Sequence, residues 1–137
     1  MGIPAGIAAA LRFPNRQVFS IVGDGGALMT GSELATAVAQ NAKIRVIVAN
    51  NQHYGTIRYH QEVHFPTRNH YATNLVNPDF AKYGESFGLK CFTINEVEEV
   101  IPTIQKAMEV DGPSLIEFKM SLELNTSTTT LTQLQMK

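Results

Sequence analysis

Two short clusters in this sequence carry the residue types needed to hold a charged ligand. The first is Gly23-Asp24-Gly25-Gly26. Glycines on both sides of Asp24 let a ligand approach the main chain. The amides of Gly25, Gly26 and Ala27 stand ahead of a following helix, where anions such as phosphate are attracted. A lone carboxylate beside a phosphate repels it unless a cation lies between them. Mg²⁺ held by one carboxylate, a few neutral oxygens and ligand phosphates meets that demand. The second cluster, Asn50-Asn51-Gln52-His53, can supply the neutral oxygens, from the Asn51 side chain and the His53 main-chain carbonyl. Ring nitrogens suit Mg²⁺ poorly, so the backbone of His53 is assigned to the metal and not its imidazole. Each cluster alone has a structural explanation, since Asp-Gly is a frequent hairpin turn and Asn-Asn often ends a strand. A helix after Gly26 disfavours the hairpin, and the two clusters together point to a metal–diphosphate site.

For the clusters to meet, each must sit at the end of a strand, and neighbouring strands must run the same way. Gln17–Val22 and Ile44–Ala49 are short apolar runs that read as buried strands, and each leads straight into one cluster. A helix is expected over Pro4–Phe13, with proline in its first turn. Thr30-Gly31-Ser32-Glu33 has the form of a capping box, predicting a helix that starts there and runs to about Gln40. Residues 54–62 read as a short helix, 63–77 as a loop able to act as a lid, and Pro78 as the start of another helix ending near Gly84–Gly88. Lys90–Ile94 and Leu115–Phe118 are further strands. Between them Val97, Val100, Ile101, Ile104 and Met108 recur at helical spacing. The Thr-rich tail, 124–137, is expected to run extended over the surface. Strands alternating with helices predict an α/β fold, a three-layer sandwich with a mainly parallel sheet and helices on both faces. Ligands of such sheets bind outside the carboxyl ends of the strands.

Composition bounds the partners. The chain has 137 residues, one domain's worth, with 44% hydrophobic and 17% charged residues, enough to build a core and exclude wholesale disorder. Eleven Lys and Arg against twelve Asp and Glu give a net charge of −1, which builds no field for nucleic acid. The single cysteine, Cys91, excludes an internal disulfide and a cysteine-based zinc site and fits a cytoplasmic location. No apolar run approaches the roughly 20 residues of a membrane span. His53, His60, His64 and His70 offer only the His60/His64 pair at ligand spacing, and a solvated loop accounts for them better than zinc.

Gly23-Asp24-Gly25, a gap of some two dozen residues, and then Asn50-Asn51 resemble the signature of thiamine diphosphate-dependent enzymes. The match is most similar to the group containing acetolactate synthase, pyruvate oxidase and benzoylformate decarboxylase. Ile3-Pro4-Ala5-Gly6-Ile7-Ala8-Ala9, Phe13-Pro14-Asn15-Arg16 and Asn51-Gln52-His53-Tyr54-Gly55 support it. The resemblance covers the chain up to the Thr-rich tail. It implies that 1–137 form one diphosphate-binding domain, N-terminally truncated against the family's fold. It also implies Mg²⁺ ligation by Asp24, Asn51 and the His53 carbonyl, with Gly25 and Gly26 giving amides to the diphosphate in the 23–27 turn. Tyr54 and Gly55 would close over it. Thr56 and Ile57 stand where residues near the thiazolium or substrate lie, with simple helix packing as the equal alternative. The implied activity is decarboxylation of 2-oxo acids. The family's activating glutamate lies on a separate pyrimidine-binding domain, usually from another subunit, and no segment here resembles it. The chain alone is therefore expected to lack catalytic residues and turnover, to need that partner, and to assemble as a homo-oligomer. Arg58-Tyr59-His60 stands where acetolactate synthases have Arg-x-Trp, a departure that bears on the substrate and not on the cofactor. Two other readings stay open. One is a doubly wound nucleotide-binding regulatory module that uses Asp24 with Mg²⁺. The other is a small subunit of a split thiamine diphosphate decarboxylase.

Overall fold

The computed structural model of the chain describes residues 1–65, 70–126 and 129–135. Four strands, β1 (Val18–Gly23), β2 (Ile44–Asn50), β3 (Lys90–Ile94) and β4 (Ser114–Lys119), form one sheet in the order β1-β2-β4-β3. Every neighbouring pair is parallel. The central strands β2 and β4 are covered on both faces, which is why, apart from Arg45 and Glu117, they read as apolar runs and not as an alternating pattern. Helix α1 (Gly2–Arg12) leads into β1, and α2 (Asp24–Thr30), α3 (Leu34–Ala39), α4 (Gly55–His64), α5 (Phe80–Ser86) and α6 (Val100–Met108) lie in the connections between strands. The α/β sandwich expected from the sequence is the observed fold. Among the described residues no helix is long and apolar enough to cross a membrane.

Each face of the sheet has its own core. On one, Ile3, Ile7 and Ala10 of α1, a stripe at helical spacing, pack with Ile44, Val46, Val48, Phe80 and Leu115. On the other, Ala107 of α6 packs with Ile94 and Ile116, flanked by Ile47, Phe92 and Ile104. Full burial of each such aliphatic side chain is worth about 1.5–3 kcal/mol. Arg45 interrupts the apolar run of β2, yet it is 1% exposed. Its guanidinium donates to the carbonyls of Gly112, Val110 (2.8 Å) and Met108 (3.3 Å), tying the connection between α6 and β4 to the sheet. Burial pushes its pKa below the usual arginine value, and nearby Asp111 works in the opposite direction.

Helix α5 lies close on β3 and β4 because Gly84 has no side chain. A Cβ there would stand 2.6 Å from Cys91 Sγ and 3.3 Å from Leu115 Cβ. Gly84→Ala is expected to cost about 1–3 kcal/mol by overpacking, read as a lower urea midpoint at unchanged m-value. The Cys91 thiol, half-buried beneath that helix, is pushed up to about 12 by burial and then by Glu85. In the unfolded chain the thiol ionises near its ordinary value of 9.0. Its contribution to stability is therefore complete below about pH 9 and lost as pH rises towards 12. Iodoacetamide is expected to leave Cys91 intact in the native chain at mildly alkaline pH and to alkylate it readily in urea. Equal rates in both states would contradict this.

Three expectations are corrected. The helix after the first cluster starts at Asp24, not at Thr30, and the Thr30–Glu33 segment is its continuation through a 3-10 turn at Gly31–Glu33. Thr30 Oγ1 bonds back to Gly26 O (3.2 Å), and Glu33 takes the Thr36 hydroxyl (3.0 Å), so no capping box forms. A capping box does occur at Glu96 and Glu99, before α6. The tail does not run extended. It turns back through β5 (Leu124–Thr126) and β6 (Thr129–Thr130) into α7 (Leu131–Gln135), with Leu131 and Leu134 buried. Segment 63–77 begins in α4, which runs on to His64. Its residues 66–69, like 127, 128, 136 and 137 of the tail, lie outside the described residues.

Candidate functional site

Both clusters stand at the carboxyl end of the sheet because β1 and β2 are parallel neighbours in a register that pairs Gly23 with Ala49. The chain leaves β1 at Gly23 in an extended conformation and enters α2 at once, so Asp24 is the first helical residue. Its carboxylate is 2% exposed. A buried carboxylate needs donors, and it has two: Gly25 N–H on Oδ1 (2.8 Å) and Asn77 Nδ2 on Oδ2 (2.8 Å). The Gly25 amide expected to meet a diphosphate is thus turned onto Asp24. Gly25 has to be glycine for another reason, since a Cβ there would stand 2.5 Å from the Tyr54 ring. A Cβ on Gly26 would meet nothing within 4 Å, so that residue faces open space.

The second wall follows β2. Gln52 turns the chain in the left-handed region (φ 59°), where a non-glycine residue is uncommon. Asn51 Oδ1 accepts the His53 N–H (3.3 Å), and His53 Nδ1 donates to the Asn51 carbonyl (2.6 Å). That bond leaves the imidazole held by its own loop. Residues 73–75 brace this wall from behind: Tyr54 N–H donates to Thr73 O and Leu75 N–H to Gln52 O, both at 2.8 Å. His53 and Asn74 form an antiparallel bridge.

Between the walls lies a cleft of about 220 Å³ lined by Gly23, Asp24, Gly25, Gly26, His53, Tyr54, Gly55, Thr56 and Ile57. Nine of the sequence-predicted site residues are brought together there. Two are not on its surface. Ala27 is 2% exposed, with its methyl in the core, and Asn51 sits half-buried beside the cleft at the end of β2. Ile57 is 52% exposed and is placed at the cleft, not packed under its helix. Sequence reasoning missed Asn77, which donates to Asp24 across 53 positions and also to Asn50 Oδ1 (2.8 Å). It missed Glu117, a 2% exposed carboxylate that takes the Asn50 amide at 2.7 Å. The signal for Glu117 was present, as an acid inside an apolar strand. Nothing local marks Asn77.

The donor set of carboxylate, carboxamide oxygen and main-chain carbonyl fits a hard divalent cation shared with phosphate oxygens. Among the described residues no three His, Cys, Asp or Glu side chains gather into an alternative metal centre. His60 and His64 simply stack, with ring centroids 5.7 Å apart.

Residues 1–118 match the family model described as thiamine pyrophosphate enzyme, C-terminal TPP binding domain. The 3D-(3,5/4)-trihydroxycyclohexane-1,2-dione hydrolase of Bacillus subtilis (strain 168) is 38% identical over 116 residues, covering 80% of this chain and 18% of that protein. The acetolactate synthase large subunit of Pyropia yezoensis is 33% identical over 121 residues, 88% of this chain and 20% of that relative. Among solved structures, the thiamine diphosphate-dependent 4-hydroxybenzoylformate decarboxylase of Rhodococcus jostii RHA1 superposes with a TM-score of 0.81 at 28% identity. The match covers 88% of this chain and 23% of the other. The chain thus spans about a fifth of the length of these relatives. By sequence, fold and the arrangement of its two strand-end clusters, it belongs to the family of thiamine pyrophosphate enzyme C-terminal, TPP-binding domains.

Proposed function

We propose that this domain holds the diphosphate of thiamine diphosphate through Mg²⁺, as one part of an enzyme that decarboxylates 2-oxo acids in the manner of acetolactate synthase. The observation that carries this reading is Asp24, a carboxylate 2% exposed on a cleft whose neighbouring residue, Gly26, has no atom within 4 Å of its Cβ position. Two hydrogen bonds hold this buried carboxylate but bring no positive charge to it, and a cation beside the open turn would supply one. In this reading Asp24 neutralises the ion, and Asn51 and the His53 carbonyl add neutral oxygens. Gly26 presents its amide to a phosphate oxygen, and the Tyr54 ring, packed on Gly25, forms the wall. Thr56 and Ile57, in the first turn of α4, line the cleft beyond the metal. When bound, thiamine diphosphate supplies a nucleophilic thiazolium carbon and an electron sink for loss of CO₂.

None of the residues lining the cleft is a glutamate. Glu33 is engaged with Thr36, Glu62 with Arg58 and Glu117 with Asn50. The glutamate that activates the cofactor is accordingly assigned to a partner, a pyrimidine-binding domain or subunit, and the isolated chain is expected to show no turnover. A homo-oligomeric, cytoplasmic enzyme is part of the same proposal. The expected calorimetric result is thiamine diphosphate binding in the presence of Mg²⁺ that EDTA abolishes. Binding indifferent to EDTA would overturn the reading. Tighter binding of ATP or GTP at the same cleft would favour a nucleotide module instead. Decarboxylation restored on mixing with a pyrimidine-domain chain would support the assigned partner.

A further inference from the structure

Two carboxylates, Glu117 and Asp24, are joined through two amides. Glu117 Oε1 accepts from Asn50 Nδ2 at 2.7 Å. Asn50 Oδ1 accepts from Asn77 Nδ2 at 2.8 Å, and the same nitrogen gives its other hydrogen to Asp24 Oδ2, also at 2.8 Å. An ionised carboxylate only accepts, so each end of the relay dictates which way the adjoining amide faces. Glu117 claims the NH₂ of Asn50, which leaves the Asn50 oxygen for its neighbour. Both partners of Asn77 then demand its nitrogen, and its own Oδ1 is left buried without a partner. Only this orientation makes all three bonds of the relay, and Asn77 Oδ1 and Glu117 Oε2 stay without partners. The relay also reaches Asp24 from outside the cleft. Asp24 lines the cleft and Asn77 does not, whereas Asn77, Asn50 and Glu117 line a separate polar hollow of about 330 Å³.

We propose that Asn77 is a positioning residue for Asp24, oriented by Asn50 and Glu117, and that it fixes the plane in which the carboxylate meets the metal. The inference rests on the metal–diphosphate reading of the cleft. Asp24 is clamped between Gly25 N–H on one oxygen and Asn77 on the other. Removing the second donor frees the carboxylate to turn about its Cβ–Cγ bond. Losing a group that orients a metal ligand from behind typically costs about 10–100-fold in metal affinity.

With Mn²⁺ as probe and thiamine diphosphate present, Asn77→Ala is expected to weaken Mn²⁺ binding about 10–100-fold, read from the free-ion resonance. Glu117→Gln, which keeps an acceptor facing Asn50, should bind as wild type does. Glu117→Ala should lose affinity, and the Asn77→Ala/Glu117→Ala double variant should be no worse than Asn77→Ala alone, because the relay acts as a unit. In the metal-free 137-residue chain, the Asn77 and Asn50 side-chain NH₂ protons should exchange slowly, and those of Asn50 should become solvent-like in Glu117→Ala. Wild-type Mn²⁺ affinity in Asn77→Ala, or additive losses in the double variant, would overturn the positioning role and leave the cofactor reading standing. Failure of the wild-type chain to bind Mn²⁺ would defeat the cofactor reading. In that case free-amide exchange rates at Asn77 would still overturn the relay, and slow exchange would support it.

Discussion

Asp24→Ala is expected to abolish metal-dependent thiamine diphosphate binding, with a loss larger than the ~10–100-fold typical of removing a residue that only supports a metal ligand. The substitution takes away the one negative charge among the residues lining the cleft, and with it the reason for a divalent ion to stand beside a phosphate. It also orphans two donors, Gly25 N–H and the Asn77 amide, at about 1–3 kcal/mol for each one left buried. Asp24→Asn separates the two effects. It keeps the shape and an acceptor for one of those two donors, so it should fold better than Asp24→Ala and still fail to hold the ion. Thermal denaturation with and without ligand gives the readout. A ligand at about 100 times its dissociation constant adds roughly 2.7 kcal/mol to the native state. That rise should appear for the wild type and vanish for both variants. A variant stabilised as strongly as the wild type would remove Asp24 from the metal site.

Glu62→Ala is expected to be the most destabilising single change in α4. Arg58 Nε donates to Glu62 Oε1 at 2.6 Å, and the two side chains are only 6% and 5% exposed. The Arg58 Nη1 also reaches Asn74 Oδ1 at 3.4 Å, on the segment that braces the cleft. Removing one member of a buried pair strands the other charge and costs about 3–5 kcal/mol. For a domain of this size, that corresponds to a fall in Tm on the order of 10 °C. Replacing both members, as in Arg58→Met/Glu62→Leu, should recover most of the loss, because no charge is then left buried without a partner. Helix α4 also carries Gly55, Thr56 and Ile57 on the cleft, so Glu62→Ala should weaken cofactor binding as well. A Tm within a degree or two of wild type would refute the role given to this pair. The same geometry explains Arg58 as a tether between its helix and residues 73–75, and it places the guanidinium off the cleft surface.

The strands were legible because each is a short apolar run whose neighbours break it, and the two chemical clusters were legible because they follow those runs directly. The capping-box signal at Thr30 and Glu33 misled because the sheet delivers the chain into a helix six residues earlier, at Asp24, and tertiary position overrode the local motif. Tail helix α7 was hidden by a polar composition in which Leu131 and Leu134 turn inward. Asn77 was invisible for a different reason. An asparagine before a proline reads as a turn, and its partners lie 53 and 27 positions away. Glu117 sits on a strand buried on both faces, so alternation gave no clue to which side it would favour.

Arg45 lies on β2 far from any reacting atom, yet it pegs the spacing of the chemistry. Sliding that strand by a single position would swing its charge into the Ile and Val layer beneath α1. The same slip would carry Asn51 about 3.3 Å past Asp24, more than a small ion's coordination sphere can absorb. A guanidinium locked onto three carbonyls therefore serves as the notch against which the distance between the two strand-end loops is gauged.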